Sequence, residues 1–256
     1  MSGPSEVLQP FLRGWLRRAG QHPATSDWVL RGSLVTRALC GQGRVPADVD
    51  YLVSGEYQPD ALAALIAEVA QLPDHDTRLT LTRTEAIWAE TSFPGLRVFL
   101  VGQDHEHEQT FQVDFSFGDP MAQAPVTLLM PEVGPVRACP AETLWAWKLH
   151  GLVEFGPGKW RGKDLYDLYL LQTHVKLDHN ALPEVVTLAF SSRETPLGDL
   201  DELLTRESWG CSVSNGRKWR TFQRRAGVQA EFLAVRNAVR MLVNDVMNNA
   251  APHCGP

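Results

Sequence analysis

The hydrophobic pattern of this chain changes period near residue 120, and no other feature limits its possible folds as strongly. Upstream, apolar and polar residues alternate over 48–53, 96–101 and 111–117, with weaker runs at 28–30, 79–84 and 86–90. That two-residue period belongs to half-buried strands. Apolar residues at helical spacing fill 1–21, 34–40 and 59–72 between them. Then Pro120, Pro125, Pro131, Pro135 and Pro140 punctuate the chain, and the alternation stops. Helical period follows over 140–153, 162–173, 182–192, 199–206 and 228–247, with Pro140 and Glu142 suited to a first turn. The pattern predicts an α+β first half, a helical second half and two domains, 1–130 and 131–256.

Composition removes several classes of function. No run approaches the roughly 18 apolar residues of a membrane span. Arg13, Arg17 and Arg18 interrupt the first apolar stretch, so it reads as an amphipathic helix rather than a secretory signal. Cys40, Cys139, Cys211 and Cys254 lie far apart with no C-x-x-C pair, against a zinc finger or a disulfide scaffold. A cytoplasmic protein is the expectation. The net charge of −6 disfavours nonspecific nucleic-acid binding, yet Arg206 to Arg240 holds eight basic residues against Glu207 and Glu231. A localised anionic partner fits that stretch.

Three acids and one turn carry chemistry. Asp48 and Asp50 are two apart on a predicted strand, so both carboxylates leave one face. Such a pair can hold Mg²⁺ for a phosphoryl displacement. Gly32-Ser33 stands between a strand and a helix, where free backbone N–H groups can hold a phosphate. Asp114 sits inside the apolar run Phe111 to Phe117, where a carboxylate needs a partner. If its strand lies beside the first, it completes a carboxylate triad.

A strand ending in Gly-Ser, a helix, an Asp-x-Asp strand and a later strand with one Asp resembles the nucleotidyltransferase fold of the DNA polymerase beta superfamily. More narrowly, Arg44-Val45-Pro46-Ala47-Asp48-Val49-Asp50 resembles the R-x-S-x-D-I-D segment of AbiEii/AbiGii-type nucleotidyltransferase toxins of abortive-infection toxin–antitoxin systems. Asp119-Pro120, Pro140-Ala141-Glu142 with Lys148, and Arg161 followed by Lys163-Asp164-Leu165-Tyr166-Asp167-Leu168 resemble that family's later motifs. The resemblance spans 28–171 and implies a polymerase-beta-like core with a mixed sheet, and a helical domain that completes the active site. It implies Mg²⁺ on Asp48, Asp50 and Asp114, the NTP on Gly32, Ser33 and Lys148, and Asp164 as a functional acid. Either Asp114 or Asp164 takes the acceptor's proton. Arg31 stands where the family has its first Gly, Pro46 where Ser is common, and Lys163 where Arg precedes the Asp.

Plainer roles stand beside these. Asp164 and Asp167 share a helix face, where a local salt bridge accounts for one of them. Lys148 follows Trp145 on an apolar helix and could snorkel. Residues 156–163 fail the P-loop pattern, because Pro157 holds its first Gly position and Asp164 its hydroxyl position. His105 and His107 fall in a predicted hairpin loop and read as solvated. Arg217, Lys218, Arg220, Arg224 and Arg225, interleaved with Trp219 and Phe222, have the composition of an RNA-contacting surface, or of a helix that its rings anchor to a core. The combined reading is an Mg²⁺-dependent nucleotidyltransferase toxin that moves a nucleoside monophosphate from an NTP to tRNA or other RNA, with a cognate antitoxin as a further partner. The alternatives are a small-molecule or protein nucleotidyltransferase, and a non-catalytic RNA- or partner-binding protein.

Overall fold

The computed structural model describes residues 4–250 apart from 155, 157 and 158. Pro157, Cys254 and the first three residues of the predicted N-terminal helix lie outside the described residues. The chain is α+β, as its two periods predict, and divides into two compact units. The first comprises Met1–Ala38, Val45–Asp119 and Pro125–Cys139; the second comprises Leu39–Arg44, Pro120–Ala124 and Pro140–Pro256.

The first unit is built on one mixed sheet. In chain order its elements are α1 (Pro4–Val7), α2 (Gln9–Gln21), β1 (Val29–Arg31), α3 (Gly32–Cys40), β2 (Asp48–Val53), α4 (Pro59–Gln71), β3 (Arg78–Ile87), β4 (Gly95–Gln103), β5 (Glu108–Phe117), β6 (Val126–Met130) and β7 (Gly134–Ala138). The strand order is β3-β4-β5-β2-β1-β7-β6. β2 runs parallel to β5, and β1 runs parallel to β7; the other pairs are antiparallel.

Alternation makes this sheet two-faced. Val49, Tyr51, Leu96, Val98, Leu100, Val113 and Phe115 point to one face and are buried, as are Phe11, Trp15 and Leu16 of α2 and Leu62, Ile66 and Val69 of α4. Trp28 meets Phe115 edge-on at 4.8 Å, and Phe115 stacks on Tyr51 at 5.5 Å. Gly102 admits the Phe11 ring, which would stand 2.5 Å from a Cβ placed there. The opposite face carries Asp48, Asp50, Arg97, Phe99, Gln112 and Asp114, all half-buried. Polar residues gathered on one face leave that face partly exposed to solvent.

Two sequence expectations change. The run at 79–84 and the first two residues of the run at 86–90 are one strand, β3, which ends at Ile87 and whose register shifts between Leu81 and Arg83. The extra residue, Thr82, donates its hydroxyl to the Phe99 carbonyl at 3.1 Å, and the bulge resets the alternation that looked like a break. Strand structure also continues past residue 120. β6 and β7 form a hairpin in which Pro135 faces Leu129, and β7 joins the sheet through Leu30 and Ala138. The first compact unit, which includes this hairpin, extends to Cys139.

The second unit is helical: α5 (Ala141–Val153), α6 (Gly162–His174), α7 (Leu182–Ser191), α8 (Leu200–Thr205), α9 (Val213–Ala226) and α10 (Phe232–Ala250). Leu144, Trp145, Leu149, Leu165, Leu168, Leu171, Val186, Phe190, Val239 and Val243 are its buried stripes. Pro140 caps α5, matching the start signal. α9 is the helix that periodicity did not delimit. Ser212 caps it by accepting from the Asn215 N–H at 3.2 Å, and Gly227 ends it in a left-handed turn. Among the described residues no helix is long and apolar enough to cross a membrane.

Candidate active site

Register brings the predicted carboxylates of the first unit together. Asp50 pairs with Asp114 across β2 and β5, Asp48 pairs with Gln112, and Arg31 of β1 lies opposite Asp50. Residues in register share a face, so Asp48, Asp50 and Asp114 all stand on the open side. Against them lies the start of α3. Gly32 has φ +76°, and a Cβ there would sit 2.0 Å from Asp50 Oδ2, so only glycine lets this carboxylate reach the helix N-terminus. Ser33 is buried and donates its hydroxyl to Asp48 Oδ1 at 3.4 Å.

Two arginines divide the acids into different environments. Arg97, opposite Asp114 on β4, forks onto it with Nε to Oδ1 at 2.9 Å and Nη2 to Oδ2 at 2.7 Å. Accepting these bonds, Asp114 raises the Arg97 pKa. Both Asp114 oxygens are therefore engaged. Among the described residues no three His, Cys, Asp or Glu side chains are gathered to hold a metal. The donor set that fits a hard cation is the pair Asp48 and Asp50, half-buried, all oxygen, and flanking a helix N-terminus. Arg31 donates to Asp119 Oδ2 at 2.6 Å and to Ser116 Oγ at 3.3 Å. Burial opposes its charge, and the carboxylates of Asp119 and Asp50 outweigh that, raising its pKa. The departure at position 31 thus puts a permanent cation beside Asp50.

The second unit holds its own cluster. Lys148 Nζ lies 3.2 Å from Asp164 Oδ1 and 2.8 Å from Asp167 Oδ2. Arg44 approaches Asp167 at 3.4 Å, and Arg161 Nε lies 2.5 Å from Asp164 Oδ2 in an orientation that leaves this buried oxygen without a hydrogen bond. Burial works against the Lys148 charge, but Asp167 and Asp164 raise its pKa overall. Burial pushes Asp164 up, and Lys148, Arg161 and Lys163 pull it below its ordinary value. Lys148 does not snorkel: its ammonium ends between two carboxylates. Asp164 and Asp167 share a helix face as spacing predicts, and both face this cation.

On α9, Arg217, Lys218, Arg220, Arg224 and Arg225 are exposed, and three of them line an open groove of about 910 Å³ that Glu231 also lines. The interleaved rings are not part of that surface. Trp219 is 3% exposed, donates to the Ala230 carbonyl at 3.1 Å and packs with Trp160 and Phe232, while Phe222 lies against Tyr166. They anchor the helix, because rings three apart fall on its buried side.

Sequence reasoning missed Arg97. Its signal is faint but real: Arg97 between Leu96 and Val98, and Asp114 between Val113 and Phe115, are opposite charges on the two arms of the predicted hairpin.

Comparisons with known proteins bear on the family and the fold. A family model described as "Nucleotidyl transferase AbiEii toxin, Type IV TA system" matches residues 15–238. A search of curated proteins gives no match. Two solved Helicobacter pylori structures share the fold over nearly the whole chain. One, JHP933, is 13% identical with a TM-score of 0.54, covering 98% of this chain and 94% of its own. The other, provisionally described as a nucleotidyltransferase, is 14% identical with a TM-score of 0.60, covering 98% and 97%.

Proposed function

The chain belongs to the AbiEii nucleotidyl transferase toxin family and is a nucleotidyltransferase, and we propose that it transfers a nucleoside monophosphate from an NTP to an RNA acceptor such as tRNA, with Mg²⁺ on Asp48 and Asp50. The observation that carries this reading is the pair of carboxylates on an open sheet face, packed against a glycine-led helix start. Mg²⁺ there would supply charge to polarise the α-phosphate and neutralise the departing pyrophosphate.

The chain's own groups account for the rest. Gly32 and the first N–H groups of α3 hold triphosphate oxygens, and Arg31 beside Asp50 adds a fixed positive charge. The acceptor oxygen forms a bond to the α-phosphorus as the bond to pyrophosphate breaks. The acceptor's proton leaves to Asp114 or Asp164. Arg97 holds both oxygens of Asp114, which suits a group that orients the hydroxyl. Lys148 contributes phosphate neutralisation, and the basic face of α9 contacts RNA backbone. A cognate antitoxin restrains the activity.

The test incubates the protein with each α-labelled NTP, Mg²⁺ and either total RNA or total protein. Label in RNA that disappears in Asp48→Ala and Asp50→Ala variants of unchanged fold supports the reading. Label in protein or in small molecules moves the acceptor to another class. No label under any condition favours a non-catalytic role.

A further inference from the structure

The open face of the sheet does not end at the carboxylates. Register aligns two rows across four neighbouring strands: Asp48, Gln112, Phe99 and Arg83 in one, Asp50, Asp114, Arg97 and Glu85 in the other. The first row leads from the acid pair to a layered platform. The Arg83 guanidinium lies 4.0 Å over the Phe99 ring, and Glu85 holds it from the side in an ion pair. Its side chain is 59% exposed, so the outer plane of the guanidinium is open. A planar cation fixed from below and from the side is a preorganised stacking surface for a nucleobase.

Topology decides which nucleoside this surface receives. The start of α3, where the proposed reaction places the triphosphate, lies on the β1 side of the acid pair, and β5, β4 and β3 follow in order on the other side. An in-line displacement puts attacking and leaving oxygens on opposite sides of the phosphorus. Pyrophosphate departing toward α3 therefore leaves the β5–β4–β3 side to the acceptor. Strands are spaced about 4.8 Å apart, so the platform stands roughly 10 to 14 Å from Asp48. The Arg83 guanidinium, drawn back over the Phe99 ring, stands at the near end of that span, within reach of a base whose sugar lies over Gln112 beside the acids.

We infer that the row Gln112–Phe99–Arg83 is a subsite for the acceptor RNA's reacting nucleoside, with the base stacked on the Arg83 guanidinium, the Phe99 ring supporting it from beneath, and the Gln112 amide within reach of the sugar. This rests on the reading of the chain as an RNA-directed nucleotidyltransferase. Arg97, in the adjoining row, adds positive charge for the neighbouring phosphate.

The experiment measures KM for unfractionated tRNA and for the preferred NTP in wild type, Arg83→Ala, Arg83→Lys and Phe99→Leu, after thermal melts show that each variant folds. Arg83→Ala and Phe99→Leu should raise the KM for tRNA by on the order of tenfold and leave that for NTP within about twofold. Arg83→Lys keeps the charge without the plane and should recover little. Unchanged tRNA KM in a wild type that labels tRNA overturns the subsite alone, and so does a rise confined to the NTP. A wild type that labels no RNA overturns the underlying reading instead.

Discussion

Replacing Gly32 with alanine tests whether the α3 start and Asp50 work as one device. Two costs arise together. A left-handed backbone costs an L-residue about 1 to 2 kcal/mol, and Gly32 has φ +76°. The new Cβ would also meet Asp50 Oδ2 at 2.0 Å, where ordinary contact begins near 3.4 Å, so the carboxylate must retreat by more than about 1 Å. A displacement of that size at reacting groups costs roughly 100-fold in rate. Gly41→Ala is the control: Gly41 has φ +67° with nothing within 4 Å of a Cβ, so it carries the strain without the collision. Both variants should lose about 1 to 2 kcal/mol, a fall in melting temperature of a few degrees. Only Gly32→Ala should lose about two orders of magnitude in kcat for NMP transfer. Equal turnover in the two variants, or a Gly32→Ala enzyme within threefold of wild type, would refute the argument that Asp50 must lie against this helix start.

Lys148→Met should cost about 3 to 5 kcal/mol, because it leaves the buried Asp164 and Asp167 carboxylates facing each other, and denaturant melts should show Asp164→Asn recovering part of the loss. The Lys148 pKa is raised, so its contribution should be present below its unfolded value of roughly 10.4 and lost only as pH climbs through the folded value. Asp74 answers in the opposite sense. Burial pushes its pKa up, but hydrogen bonds and charge from Arg17, with the Asp76 N–H and the Thr77 hydroxyl, hold it far below the ordinary carboxylate range. Its stabilisation should persist above pH of about 4 and disappear as acid protonates it, and Asp74→Asn should flatten stability against pH in that acidic window. Neutralising Arg217, Lys218, Arg224 and Arg225 together should flatten the salt dependence of RNA labelling while sparing KM for the NTP, and an unchanged slope would remove α9 from the RNA surface.

Much of the first unit was legible because strands announce themselves locally. The period-two runs around Asp50, Leu100 and Phe115 each mark a strand without reference to any partner, and the same alternation put Asp48 and Asp50 on one face. Gly32-Ser33 was legible too, since a glycine between strand and helix is a statement about backbone freedom at one place. β7 was not. Its short segment around Pro135 has weak alternation and becomes a strand by pairing with β1, more than a hundred residues earlier, through Leu30 and Ala138.

The same division runs through the candidate site. Residue types and spacing by themselves determined which groups carry chemistry: two same-face acids, a third acid in an apolar strand, a lysine and an aspartate on successive helices. Tertiary structure decided what each of them touches. Asp114 is occupied by Arg97 because strand register sets the two opposite each other. Lys148 lies between Asp164 and Asp167 because α5 and α6 pack together. Trp219 faces inward because the turn at Gly227 brings the Ala230 carbonyl back to its indole. Sequence encodes period and local chemistry within a few residues, whereas pairing across tens of residues depends on which buried faces fit, and that is settled only when the whole chain packs.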